Sequence, residues 1–476
     1  MYRLSGFDAC LLPLETPSQP LTTCALLELD ASTMSGGYSF ARFRERLSGR
    51  LAALPEFRMK LADSVLNLAT PVWVEDRDFD LDRHLHRIEL PAPRTRRELS
   101  QLAGRLLAER LDRSRPLWDM WVIEGLSGAD PHFSGCVAVM LRMHHVLGDG
   151  VTGLDIVSRL LSTEAEPPPP EVIDGVGTVG KWKIVLDGLV RFAGRPWFLV
   201  TNVLPATVAA LVKTIRRSAR GQAMSGIFSA PRTPFSGNLT EHRTIAYVQL
   251  DLEDVNTIKD QFGVKLNDVM LALVSGALRQ LLLDRAALPR AALVAAMPIS
   301  VFEANRASRN QLSGMLSSLY TDLADPADRL RAIAEASSVA KDHSFAIGAT
   351  LLQDWMQCAP GLLTLGMRLY RWSGLSARRP VYNLTVSTVR GPQQSYLLGA
   401  PVKANYAFGP LFHGAGLLIV GMSHNGHLDV GLVSCSDLLP DLCEVADGLP
   451  LALKELRELT QPNAVGPQTF GLGGKS

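Results

Sequence analysis

The stretch Met143-His144-His145-Val146-Leu147-Gly148-Asp149-Gly150 decides how the chain is read. The preceding run, Gly135-Cys136-Val137-Ala138-Val139-Met140-Leu141, is apolar and rich in strand formers. A continuous run of this kind suits a strand covered on both faces. The two histidines therefore emerge from a core and not from a solvated loop. Histidine titrates near neutrality, so a base held there can take a proton from a hydroxyl and return it to a leaving group, as acyl transfer requires. Asp149 follows His145 by four residues, where a bend could turn it inward, and Gly150 accepts positive φ or a tight helix entry. A single histidine at a strand end would be read as structural; the whole HHxxxDG pattern favours a site.

Outward from the motif the chain alternates elements, as an α/β, two-layer α+β organisation does. Strands are expected at Leu21 to Asp30 and Trp118 to Leu126, and helices at Phe40 to Ala53, Arg96 to Leu111 and Val151 to Leu161. Glu164-Ala165-Glu166 and four prolines, Pro167 through Pro170, then begin a stiff spacer. Beyond it, strands are expected at Thr244 to Leu252, Ala292 to Ile299, Tyr382 to Arg390 and Leu417 to Ser423. Helices are expected at Asn267 to Leu283, with Asn267 at or near the N-cap, and at Pro326 to Lys341, with a mostly helical stretch on to Gly374. The two halves repeat the same kinds of element without a tandem repeat.

Several motifs resemble those of one family. HHxxxDG is the motif of the CoA-dependent acyltransferase superfamily, and other segments resemble the bacterial wax ester synthase/diacylglycerol acyltransferases. These are Leu4-Ser5-Gly6-Phe7-Asp8-Ala9, Pro116-Leu117-Trp118 (PLW), Asn267-Asp268-Val269-Met270-Leu271-Ala272 (ND), and the cluster Trp73, Phe79-Asp80, His84 and Leu90-Pro91. The similarity runs from about the first residue to Pro450. Two departures bear on the acceptor: Arg309 precedes Asn310 where the family has glycine, and Arg390 replaces a proline in Ser387-Thr388-Val389-Arg390-Gly391-Pro392.

The resemblance implies two chloramphenicol-acetyltransferase-like domains joined by a long linker, with an active-site tunnel at their interface. The boundaries are 1–163 for the domain carrying HHxxxDG, 164–243 for the linker, 244–460 for the domain carrying ND, and 461–476 for a flexible tail. It implies an O-acyltransferase that uses acyl-CoA as substrate, with no cofactor, and diacylglycerol or a fatty alcohol as acceptor. His145 is then the general base, His144 its support, and Asp149 a fold-holding carboxylate paired with an arginine. Pro116, Leu117 and Trp118 pack the first domain around the acyl channel. Asn267 and Asp268 serve as helix cap and dipole partner, as tunnel wall, or as both. Asn310 and Ser313 are tunnel liners or turn residues. Two other classes stay open: a carrier-protein-dependent acyltransferase that esterifies a complex lipid, and a non-catalytic lipid-binding relative.

Composition fits an intracellular enzyme. The 476 residues suit two domains of about 200 each. A net charge of +1 gives no electrostatic case for nucleic acid. Six scattered cysteines without CxxC read as thiols in a reducing compartment, and the start lacks a basic region followed by a long apolar one. His343, His413, His424 and His427 fit no metal spacing, so no metal is expected. The hydrophobic fraction of 47% is high, which an apolar tunnel or a membrane-facing surface would each explain.

The segment 181–220 bears on that choice. Trp182, Val185, Leu186, Leu189, Phe192 and Ala193 share one arc of a helical wheel, and Lys181, Lys183, Asp187, Arg191 and Arg195 the opposite one. Lys213, Arg216, Arg217 and Arg220 follow a charge-free run too short to span a bilayer. Peripheral attachment to the inner face of the membrane or to lipid droplets, and a helix packed on its own protein, both fit.

Overall fold

The computed structural model describes residues 2–63, 69–126, 133, 135–147, 157, 159–168, 180–300, 312–348 and 351–460. Two large sheets dominate. The strands, in chain order, are β1 (Thr22–Asp30), β2 (Leu85–Glu89), β3 (Trp118–Glu124), β4 (Cys136–His144), β5 (Leu161–Ser162), β6 (Arg243–Asp251) and β7 (Val294–Ser300). There follow β8 (Leu312–Ser318), β9 (Leu384–Arg390), β10 (Tyr396–Leu397), β11 (Ala400–Phe408), β12 (Leu417–His424) and β13 (His427–Cys435). The first sheet has the order β2-β3-β4-β1-β11-β10-β5, and the second β8-β7-β9-β12-β13-β6.

β4 is buried at every residue, as its unbroken apolar run predicts. It pairs antiparallel with β1 on one edge, Thr22 facing His144, and with β3 on the other, Trp118 facing Met143. The core of the first half gathers Phe43, Leu47, Trp118, Val139 and Leu141. That of the second surrounds the helix Leu266–Asp284, whose Val269, Met270, Leu271, Leu273 and Val274 are fully buried.

The first sheet is not closed by the first half. β10 and β11, from late in the chain, complete it: β11 lies antiparallel along β1, and β10 pairs with β5. A third core between the sheets unites Leu99, Leu106 and Met140 with Tyr247, Tyr406, Leu418 and Val433. Two close approaches fix it. A β-carbon on Gly104 would stand 2.8 Å from the Arg243 carbonyl oxygen, and one on Gly431 would stand 2.4 Å from that of Ala407. The buried Asp429 carboxylate accepts the Asn405 amide at 2.8 Å and the Gln249 side chain at 2.9 Å, which ties β11 to the second sheet.

The expected strands and helices form with ends displaced by a few residues. Leu252 opens a helix, Leu252–Phe262, instead of ending β6. Most of the helix expected over 151–161 lies outside the described residues, and its last residue, Leu161, begins β5. The tail 461–476 also lies outside them.

Gly431→Ala should destabilise the protein by roughly 1–3 kcal/mol in urea unfolding, because backbone at the Ala407 carbonyl cannot step aside as a flexible side chain can. Gly49→Ala, at an exposed position of a helix with open space at the β-carbon, should do the opposite by about 0.5–1 kcal/mol.

Candidate active site

His145 opens a short turn, His145–Leu147, directly after β4. Its amide donates to the Leu21 carbonyl at 2.8 Å, and the His144 amide donates to the Leu117 carbonyl at 3.0 Å. The residues just before the two flanking strands, Leu21 before β1 and Leu117 before β3, therefore hold the histidine pair in place. The helix Gly6–Leu11 packs against this turn. His145 is half-buried, whereas His144 is wholly enclosed.

The His144 ring is hydrogen-bonded at one nitrogen, and the other faces a carboxylate beyond hydrogen-bond distance. Nδ1 accepts the Val146 amide at 3.2 Å, which assigns the proton of the neutral ring to Nε2. Nε2 faces Glu15 Oε1 at 3.7 Å, and Arg113 donates to the other oxygen of Glu15 at 2.7 and 3.1 Å. Burial pushes the Glu15 carboxyl up, but His144 and Arg113 together outweigh it and hold the group below its ordinary value. Arg113 thus holds the Glu15 carboxylate, whose other oxygen faces the ring that precedes His145 without a hydrogen bond to it. Sequence reading missed Glu15. Its one signal is a lone acid between the apolar Leu11 to Leu14 and Pro17, far from the motif in the chain.

Pro116, Leu117 and Trp118 are buried at the start of β3, beside the histidine pair. Trp118 Nε1 donates to the Phe57 carbonyl at 2.7 Å. The indole stacks on His84 with centroids 4.8 Å apart, and His84 Nδ1 donates to the Trp118 carbonyl at 2.7 Å. Burial holds the His84 pKa below its ordinary value, so a neutral ring stacks there. Arg142, the basic residue nearest the motif, is committed elsewhere. Its Nε donates to Asp119 at 2.7 Å, and its Nη1 to the Leu106 and Glu109 carbonyls.

The ND pair forms a second cluster. Thr388 Oγ1 donates to Asn267 Oδ1 at 3.1 Å. Asp268 accepts the Ser337 hydroxyl at 2.5 Å and the Lys265 amide at 3.0 Å. Asn267 is not the N-cap. The helix begins at Leu266, Lys265 flanks it, and the Asp268 carboxylate reaches back to the Lys265 amide. That frees the Asn267 side chain to meet β9. Neither Asn267 nor Asp268 bonds to His144 or His145 among the described residues. Ser313 lies within β8 opposite Ile299, a strand position and not a turn. Asp149, Gly150 and Asn310 lie outside the described residues. His343, His413 and His424 are buried, and burial lowers His413 and His424 to about 4.

Comparison with known proteins places this geometry in context. The wax ester synthase/diacylglycerol acyltransferase catalytic domain matches residues 4–270, and the C-terminal domain of the same enzymes matches 309–457. A Mycobacterium tuberculosis protein named as a candidate diacylglycerol O-acyltransferase is 49% identical over 469 residues, which cover 98% of this chain and 92% of that one. A second from the same species is 33% identical, covering 96% of each chain. The solved wax ester synthase/diacylglycerol acyltransferase from Marinobacter aquaeolei superposes with a TM-score of 0.70 at 25% identity, covering 97% of this chain and 100% of that one. The first condensation domain of the calcium-dependent antibiotic synthetase shares the fold, with a TM-score of 0.57 at 16% identity and 96% coverage of both.

The Glu15 contacts generate a pH prediction. A carboxyl lowered on folding stabilises the protein above its unfolded pKa, and that contribution is lost as pH falls through the folded value. Glu15→Gln should therefore cost about 1–3 kcal/mol at neutral pH, and the gap to the unaltered protein should narrow in acid below about pH 4. Urea unfolding across this pH range measures it; a gap constant with pH contradicts it.

Proposed function

Because the chain belongs to the wax ester synthase/diacylglycerol acyltransferase family, and so is an acyltransferase, we propose that it moves a long-chain acyl group from acyl-CoA to diacylglycerol. The product is triacylglycerol, and fatty alcohols give wax esters by the same step. The observation that carries the reading is His145, half-buried at the end of a strand buried along its whole length, with its enclosed neighbour His144 bonded at Nδ1 by the Val146 amide.

In this reading His145 takes the proton of the acceptor hydroxyl as the oxygen attacks the thioester carbonyl. The C–O bond forms, and the carbonyl electrons move to an oxyanion. Collapse of the tetrahedral intermediate breaks the C–S bond, and the imidazolium returns its proton to the departing sulfur. Ester and CoA thiol leave, and no acyl group is carried by the protein. His144, held between the Val146 amide and Glu15, acts as a positioning residue for the ring beside it. Asp149 holds the loop through an arginine, and Gly150 allows its bend. Asn267, Asp268, Asn310 and Ser313 contribute from the second half. Pro116, Leu117 and Trp118 shape the acyl channel.

The same proposal includes the division 1–163, 164–243 and 244–460, no cofactor beyond the CoA substrate, and a cytoplasmic location with peripheral lipid contact through 181–220.

His145→Ala should lower acceptor-dependent release of CoA thiol by roughly 10²–10⁴-fold with an unchanged thermal unfolding profile. Labelled palmitoyl-CoA with diacylglycerol or hexadecanol, followed by separation of neutral products, is the assay. A variant that keeps most of its activity would remove His145 from the role of base.

A further inference from the structure

The segment between the halves is a helical rod of 37 residues, Trp182–Ser218, about 55 Å long. A five-residue π-helical turn, Leu199–Val203, continues the rod without a break. One narrow face lies on the protein: Ile184, Val203 and Ala210 are buried. Arg3 Nε donates to Asp187 at 2.9 Å, and Trp355 Nε1 donates to Thr207 at 2.9 Å. Held at points along its length, the rod lies flat on the molecule and cannot cross a bilayer while docked.

The apolar arc read from the sequence faces outward. Trp182, Leu186, Trp197, Val200, Val208 and Ile215 recur at helical spacing, and each is more than half exposed. The rod packs on its own protein along the narrow face, and the apolar arc is left in water together with the basic edge. An exposed apolar stripe of this length marks an interaction surface. Its charge indicates the partner: 181–220 carries eight Lys and Arg against one Asp, in a chain of net charge +1. A second copy would bring like charge against like charge, whereas anionic headgroups complement it. The helix Pro360–Trp372 repeats the pattern, with Leu362, Leu365, Leu369 and Trp372 exposed and Arg368 and Arg371 among them. The helix Leu351–Cys358 contacts both segments.

A cavity of about 210 Å³ opens beside the rod, lined by Ala69, Thr70, Arg191, Arg195, Gln357 and Cys358, among others. Arg191 is bonded to Asp187 at 3.1 and 3.2 Å. Arg195 pairs with no carboxylate among the described residues; its guanidinium lies 5.6 Å from the Phe192 ring centroid. Burial lowers the Arg195 pKa, so its charge lacks full solvation.

We propose that Trp182–Ser218 lays its outward stripe into an anionic phospholipid surface, and that this cavity seats a headgroup phosphate on Arg195 beside Arg191. A guanidinium offers a planar fork of donors that matches phosphate oxygens, and an apolar wall strengthens the pairing. The proposal rests on the reading that the acceptor comes from a lipid phase. It adds selectivity for anionic headgroups and a position for one of them.

The test is sedimentation of the full chain with phosphatidylcholine vesicles, with and without phosphatidylglycerol, alongside CoA release with a water-dispersed short-chain alcohol. Binding should strengthen at least fivefold when phosphatidylglycerol is present. The double variant Trp182→Asp, Trp197→Asp should lose binding to both vesicle types with an unchanged melting profile. Arg195→Gln should weaken binding to phosphatidylglycerol vesicles roughly five- to tenfold, with turnover of the dispersed alcohol and the KM for acyl-CoA unchanged. Equal binding to both vesicle types, or Arg195→Gln binding unchanged, overturns the headgroup site. A raised acyl-CoA KM in Arg195→Gln with vesicle binding intact would assign the cavity to CoA phosphates and overturn it too. Headgroup-selective binding by protein that transfers no acyl group would support the docking surface while defeating the acyl-transfer reading.

Discussion

The full burial of β4 is the constraint on which the rest depends. A strand enclosed on both faces must satisfy its amides within the sheet, and pairing with β1 and β3 does so up to its last residue. That continuity sets the register at which Thr22 and Trp118 stand beside the strand end. It also decides what comes next: the histidine pair leaves the core held by the Leu117 and Leu21 carbonyls. For the enclosed His144 the hydrogen-bond partner is the Val146 amide at Nδ1, while Nε2 faces Glu15 beyond hydrogen-bond distance.

A second constraint joins the halves. β11 belongs to the second half in sequence and to the first sheet in space. Its Asn405 amide is satisfied by Asp429 of β13, and Gly431 on the same strand lets the Ala407 carbonyl approach. One strand therefore takes part in both bodies, and separating them would expose the apolar core that lies between the sheets as well as break a sheet edge. Chemistry located between two such bodies would be held in register by covalent continuity and by burial.

How much of this was legible in the sequence varies from residue to residue. β4 is, from its unbroken apolar run, as are the helix at Arg96, whose apolar residues recur at helical spacing, and the helix at Leu266, apolar over too many residues for a strand. β11 was missed: Lys403 and Asn405 interrupt its apolar character, and the partner that satisfies Asn405 is a carboxylate distant in the chain. Local preference puts Asn267 at or near the N-cap; it stands near it, two residues after Lys265, and its side chain turns to Thr388 while Asp268 reaches back to the Lys265 amide. Glu15 could not be linked to His144, since nothing in spacing reports a meeting across the sheet. Periodicity shows the apolar arc of Trp182 to Ala193 but carries no information on which way an arc faces. Packing against Arg3 and against the helices from Pro326 onward decides that.

The central claim is that acyl transfer takes place at the imidazole that closes β4, and a crystal structure with a non-hydrolysable acyl-CoA analogue and an acceptor alcohol tests it most directly. The acceptor hydroxyl should lie within about 3.2 Å of a His145 ring nitrogen, with the thioester carbon beside it. A reacting carbonyl bound elsewhere, with His145 facing only protein, would contradict it.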